Sequence, residues 1–149
     1  MIRDLPVVIG CPAHGPPDGL SADHPLRTIA RDAAFDPDAW TDERRRQLIA
    51  LFDTLAEDWS SRDVPGREAP ILDALDRGLA AAPSTERRVA IDVGAADGIN
   101  DRHLTPTFPD LITLDLSLEM LRRATDHVTN RVQADGSGLP VADRSVDVI

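Results

Sequence analysis

The chain has 149 residues, enough for one domain with a sizeable core, and 26 acidic against 16 basic residues give it a net charge of −10. That balance argues against a nucleic-acid backbone or an anionic bilayer as partner. The single cysteine, Cys11, excludes an internal disulfide framework and a multi-cysteine zinc site, so no metal site is expected.

The hydrophobic fraction of 42% and charged fraction of 28% are those of a globular chain. No apolar run is long enough to span a membrane, and the first residues lack a charged-then-apolar signal layout, so a cytoplasmic location is expected. All the basic residues are arginine, a codon-usage feature from which no chemistry follows.

Residues 1–40 read as an irregular arm. Pro6, Pro12, Pro16, Pro17, Pro25 and Pro37 forbid a long helix or a central strand, and only Leu26 to Phe35 has a helical pattern. Cys11, His14 and His24 are scattered polar residues of that arm.

Residues 41–83 read as a helical region. Thr41 is a good N-cap, with Asp42 and Glu43 in the first turn where the helix dipole favours negative charge. Leu48, Phe52, Leu55 and Trp59 then recur on one helix face. The Arg44-Arg45-Arg46 run reads as a solvated face. After a break at Asp63-Val64-Pro65-Gly66, a second helix carries Ile71 or Leu72, Leu75 and Leu79 on its buried side.

Residues 84–149 change period. Arg88 to Val93 is a short apolar run meeting a glycine, the pattern of a buried parallel strand. A turn at Gly94-Ala95-Ala96-Asp97-Gly98, a short helix from Ile99 to Leu104 and a second strand from Leu111 to Asp115 follow. Ser117 is placed to cap a helix through Leu118, Leu121, Ala124 and Val128, with Met120 and Leu121 in its core. A third strand runs from Arg131 to Asp135, and Val146 to Ile149 begins a fourth. Strand alternating with helix predicts an open α/β sheet with right-handed crossovers.

In such a sheet, ligands sit at the carboxyl ends of the strands. Asp92 to Gly98, Asp115-Leu116 and Asp135-Gly136 stand at those ends. Glycine lets backbone approach a ligand closely and permits positive φ. Asp115, some 20 residues beyond Gly94, occupies the position where a ribose diol is held. Asp135 is placed to accept from an exocyclic amine such as that of adenine.

On these residues the chain resembles the class I S-adenosylmethionine-dependent methyltransferases, specifically the small-molecule type close to ubiquinone and menaquinone biosynthesis enzymes. Val89 to Gly98 is similar to the family's glycine-rich first motif, and Leu114-Asp115-Leu116-Ser117-Leu118-Glu119-Met120-Leu121 to its second. Ala134 to Pro140, followed by Ser145 to Ile149, resembles the adenine-contacting loop and fourth strand. Leu51 to Trp59 resembles a helix that lies over the cofactor in that family.

The resemblance implies a Rossmann-like fold and S-adenosyl-L-methionine as cofactor. It implies that Gly94 and Gly98 flank the methionine portion and that Asp92 fixes its amino end. Asp115 would bind the ribose, Leu116 would pack on the adenine, and Asp135 would meet its amine, with Gly136 allowing close approach. Ala96 departs from the family's middle glycine, and its methyl is expected to crowd the cofactor. A small-molecule acceptor is expected; no catalytic base can be named, nor an oligomeric state. The chain stops inside a strand, which suggests an incomplete sheet truncated after the fourth strand. The alternative is therefore a non-catalytic fragment or degenerate copy. A nicotinamide dinucleotide is a weaker alternative, because Ala96 and Ile99 replace two glycines of its G-x-G-x-x-G fingerprint.

Overall fold

The structure, a computed structural model, describes residues 25–62, 68–81, 88–124, 128 and 130–149. The expectations for Cys11, His14, His24 and the 63–66 break lie outside the described residues. The chain divides into two compact units, Met1–Arg44 and Arg45–Ile149.

In the first unit, α1 (Pro25–Phe35) opens on a proline, whose fixed φ and missing N–H suit a first helical turn. A 3-10 turn over Pro37–Ala39 follows. The Thr41 hydroxyl accepts the Arg44 N–H at 3.3 Å, as expected of an N-cap. Arg44 pairs with Asp32 at 2.7 Å and, with Arg31, holds the Asp32 carboxyl below its ordinary range.

The second unit holds most of α2 (Asp42–Leu55), a 3-10 segment over Ala56–Arg62, and α3 (Glu68–Ala81). Then come β1 (Val89–Val93), α4 (Asp101–Leu104), β2 (Asp110–Asp115), α5 (Leu118–Arg122) and β3 (Asn130–Gln133). No helix among the described residues is long and apolar enough to cross a membrane.

The three strands form a parallel sheet in the order β1-β2-β3, with Val93 opposite Leu114 and Asp115 opposite Gln133. Parallel neighbours require crossovers, which α4 and α5 supply. On the free side of β1, Ala90 forms a parallel bridge with Val148, and Ile91 N–H donates to the Val148 carbonyl at 3.0 Å. The Asp147 carboxylate fastens this return by accepting the Arg88 and Val89 N–H groups at 2.8 and 3.0 Å. The chain therefore steps outward from β1 to β3 and comes back on the opposite side of β1. The carboxyl end of β1 is the point where strand order reverses, and a crevice opens there.

Ala90, Phe108 and Leu111 form a buried cluster with Leu79, Leu104 and Val148 packed against it. Met120 and Leu121 are buried, as the helical pattern predicts.

Three elements are shorter than the sequence pattern suggests. α5 ends at Arg122 rather than continuing to Val128. The Arg123 and Ala124 N–H groups turn back to the Met120 and Leu121 carbonyls, closing the helix, and the Arg131 guanidinium donates to the Ala124 carbonyl at 3.0 Å. β3 stops at Gln133, and the 146–149 stretch contributes one bridge instead of a full strand.

Candidate functional site

The turn after β1 is built from backbone that few side chains tolerate. Gly94, Ala96 and Gly98 all have positive φ, at 76°, 53° and 70°. Two of these three positions carry glycine, and Ala96 adopts the left-handed conformation despite its Cβ. A Cβ on Gly98 would meet Val128 Cγ2 at 2.6 Å and Asp101 Oδ2 at 3.1 Å, so close packing excludes one there.

Asp115 holds the turn in place. It ends β2 nearly buried, its Oδ2 accepting the Ala96 N–H and its Oδ1 the Ser117 N–H, both at 2.8 Å. A carboxylate offers about four acceptor sites, so two remain for a ligand. Other amides of the turn are also satisfied internally. Those of Gly94 and Ala95 donate to the Leu114 carbonyl, that of Gly98 to Ala95, and that of Ile99 to the Asp97 carboxylate.

A cavity of about 370 Å³ lies over these strand ends, within the range of small-molecule sites. Val93, Gly94, Ala96, Asp115, Leu116 and Gly136 line it from the sheet side. Leu48, Phe52 and Trp59 line it from α2 and the 3-10 segment, with the Phe52 and Trp59 rings edge-to-face at 6.1 Å. A smaller space of about 70 Å³ shares Trp59, Gly94 and Ala96 and extends toward Asn100 and Arg102. Trp59 is thus a wall of both.

Of the eight residues singled out from sequence, Gly94, Ala96, Asp115, Leu116 and Gly136 meet at the main cavity. Gly98, Asp92 and Asp135 are not among its lining residues. Gly98 packs beneath the turn. Asp135 accepts the Ser137 N–H at 2.8 Å and the Arg45 guanidinium at 2.6 Å. Asp92 lines a separate space with Asn100 and His103 and faces Asp101. Burial first, then the hydrogen bond and charge of Asp101 and the charge of Asp115, push the Asp92 carboxyl up to about 7. Asp101 is fully buried; its Oδ2 accepts the Thr113 hydroxyl, and its Oδ1 has no partner among the described residues unless Asp92 carries a proton. His103 is half-buried against Glu68, whose carboxyl is held below its ordinary range chiefly by Arg102.

The arginine run is a solvated face only at Arg46, which is exposed. Arg44 and Arg45 are both partly buried in ion pairs, Arg45 with a residue 90 positions away. The available signal was its spacing, three and seven residues ahead of Leu48 and Phe52 on one helix face. Asp53 was also missed; it accepts the Ser117 hydroxyl at 2.5 Å. So was Asp101.

Comparisons with known proteins find similarity to methyltransferases. Residues 91–149 match the family described as "Methyltransferase domain". A malonyl-[acyl-carrier protein] O-methyltransferase of Marinomonas sp. (strain MWYL1) is 34% identical over 122 residues, which cover 76% of this chain and 43% of that enzyme. The chain thus spans less than half the length of this relative. A solved complex between the Haloferax volcanii Trm112 methyltransferase activator and a methyltransferase is similar at 30% identity, with a TM-score of 0.43. That match covers 65% of this chain and 45% of the solved one.

Proposed function

We propose, from the match of residues 91–149 to the methyltransferase domain family and the likeness to an O-methyltransferase, that the chain is part of a methyltransferase, that its cavity binds S-adenosyl-L-methionine and that the protein transfers the methyl group to a small acceptor. The observation that carries this reading is Asp115, a nearly buried carboxylate at the cavity wall with acceptor capacity to spare. A ribose diol presents two adjacent O–H donors, which suit a carboxylate already oriented by two backbone amides.

The rest of the lining fits the same ligand. Leu48, Phe52 and Leu116 offer apolar walls to a purine. Close approach at Gly94 leaves room for the amino-acid portion, since no atom stands within 4 Å of where a Cβ would be. A dinucleotide fits poorly. Pyrophosphate needs free backbone N–H groups at a helix start, whereas the amides of Gly94, Ala95, Ala96, Gly98 and Ile99 are spent internally and the Asp97 carboxylate is buried in the same turn.

When bound, the cofactor supplies an electrophilic methyl on a sulfonium sulfur, so the hard chemistry is its own. The chain's contribution is alignment and exclusion of water. Asp115 would hold the ribose, the 94–98 turn would fix the depth of the ligand, and Leu48, Phe52 and Trp59 would close over it. The acceptor named for the relative is a malonyl group on acyl-carrier protein, which makes a carboxylate oxygen the first acceptor class to assay, on a free or carrier-bound acid.

Calorimetric titration of S-adenosylhomocysteine into wild type and Asp115→Asn tests the assignment. Asparagine keeps the shape but offers fewer acceptors, and the lost charged hydrogen bonds correspond to about 1.5–3 kcal/mol, or roughly ten- to hundredfold weaker binding. Thermal melts of both proteins separate folding from binding. Equal affinities would remove the ribose role of Asp115, and no binding by wild type would remove the cofactor reading. Binding without turnover of any acceptor is the outcome expected of the non-catalytic alternative.

A further inference from the structure

α2 forms one wall of the cavity, yet none of its residues is fully buried. Its hold on the strand ends includes half-buried Leu48 and Phe52 and two polar fastenings. Near its start, the Arg45 guanidinium meets Asp135 beyond β3 at 2.6 Å. Near its end, Asp53 Oδ1 accepts the Ser117 hydroxyl at 2.5 Å and lies 3.4 Å from the Glu119 N–H. The two clasps stand eight residues apart, about 12 Å of helix, and Leu48 and Phe52 lie between them.

The Asp53 clasp reaches further than the helix. Ser117 accepts the Met120 N–H through the same hydroxyl, so it caps α5 while donating to Asp53. Its own N–H donates to Asp115, whose other oxygen holds Ala96. A continuous chain of hydrogen bonds thus runs from Asp53 through Ser117 and Asp115 to the 94–98 turn. Segments with few buried contacts open locally at low cost, so whatever fastens α2 governs how often this wall lifts.

We propose that Asp53 is a positioning residue that holds α2 shut over the cavity through Ser117, with Arg45–Asp135 as the second clasp, and that these two fastenings set the rate of ligand exchange. Asp53 is not among the lining residues of the cavity; it reaches Asp115 through one serine. The choice of ligand for the test rests on the cofactor reading above, whereas the clasp itself does not.

The experiment has two arms on the full chain. Amide hydrogen exchange across residues 45–55, without ligand, compares wild type with Asp53→Ala, Asp53→Asn and Arg45→Ala. Loss of a hydrogen bond to a charged group should speed exchange about tenfold in Asp53→Ala and Arg45→Ala. Asp53→Asn retains an acceptor for Ser117 and should stay near wild type. In the second arm, stopped-flow fluorescence of Trp59 follows S-adenosylhomocysteine. Asp53→Ala should release it about tenfold faster with a smaller change in association rate, and Asp53→Asn should restore the wild-type rate. Folded Asp53→Ala with unchanged exchange and release would overturn the proposal, as would Asp53→Asn behaving like Asp53→Ala. If Asp53→Ala fails to fold, Arg45→Ala carries the test: unchanged exchange in α2 refutes the clasp. Failure of wild type to bind the nucleoside, with the exchange pattern as expected, counts against the cofactor reading alone.

Discussion

Replacing Asp92 with asparagine removes the carboxyl whose hold on a proton is raised most clearly in the site. Burial, Asp101 and Asp115 carry it from an ordinary 3.8 up to about 7. The folded protein keeps this proton where the unfolded chain has lost it. The associated stability is therefore fully present below about pH 4, is lost as pH rises toward 7, and stays lost above that. At about 1.36 kcal/mol per pH unit the whole interval corresponds to about 4 kcal/mol. Asp92 is only partly buried, and solvent screening reduces this to about 2 kcal/mol, of which about 1 kcal/mol falls between pH 5.5 and 8. The amide of the introduced asparagine can donate to the orphaned Asp101 oxygen at every pH, so the variant lacks this loss. His103, which lines the same small space, is present in both proteins and cancels in the difference. Urea unfolding of wild type and Asp92→Asn at pH 5.5 and 8 measures it. The variant should gain about 1 kcal/mol on wild type over that range. A difference that does not change with pH refutes the shared proton between Asp92 and Asp101.

Three substitutions in the turn should move stability, one upward and two downward. Ala96→Gly relieves a left-handed alanine, whose strain of about 1–2 kcal/mol outweighs the added chain entropy of glycine, and should raise the melting temperature by a few degrees without weakening nucleoside binding. Gly98→Ala adds a Cβ 2.6 Å from Val128 at a φ of 70° and should cost about 2–4 kcal/mol, while Gly94→Ala, at a similar φ but with open space, should cost about 1 kcal/mol. Equal melting temperatures for the Gly98 and Gly94 variants would show that the packing beneath the turn is not what these contacts imply.

What was legible in the sequence was local. The apolar runs of β1 and β2, the glycine turn between them and the Ser117 cap each announce themselves within a few residues, and the Asp115 position follows from strand-end logic. The extent of α5 was not legible, because its apolar spacing continues past Arg122 while the backbone closes there and the Ala124 carbonyl finds its partner in Arg131. The partners of the acids were hidden for the same reason. Asp53 with Ser117, Arg45 with Asp135 and Thr113 with Asp101 are pairs made by folding, and a sequence shows each member only as a polar residue beside an apolar stripe. Ala96 was read as a crowding methyl at the cofactor; the structure adds a backbone reason, its positive φ, for glycine to suit that position.

The acids around the turn also explain one another. Asp92, Asp97, Asp101 and Asp115 converge on a single strand end, an arrangement that mutual repulsion alone would make costly. Three of them are neutralised by donors: Asp97 by the Ile99 N–H, Asp101 by the Thr113 hydroxyl, and Asp115 by the Ala96 and Ser117 amides. Those bonds shape the turn, so charge and backbone conformation stabilise each other here. Asp92 has no such donor among the described residues and is the one whose carboxyl is pushed up to about 7. A phosphate entering this crevice would meet carboxylates and spent amides. The Asp92 carboxyl lies apart from that crevice, in the space it shares with Asn100 and His103, and a positive charge placed there would favour release of its proton.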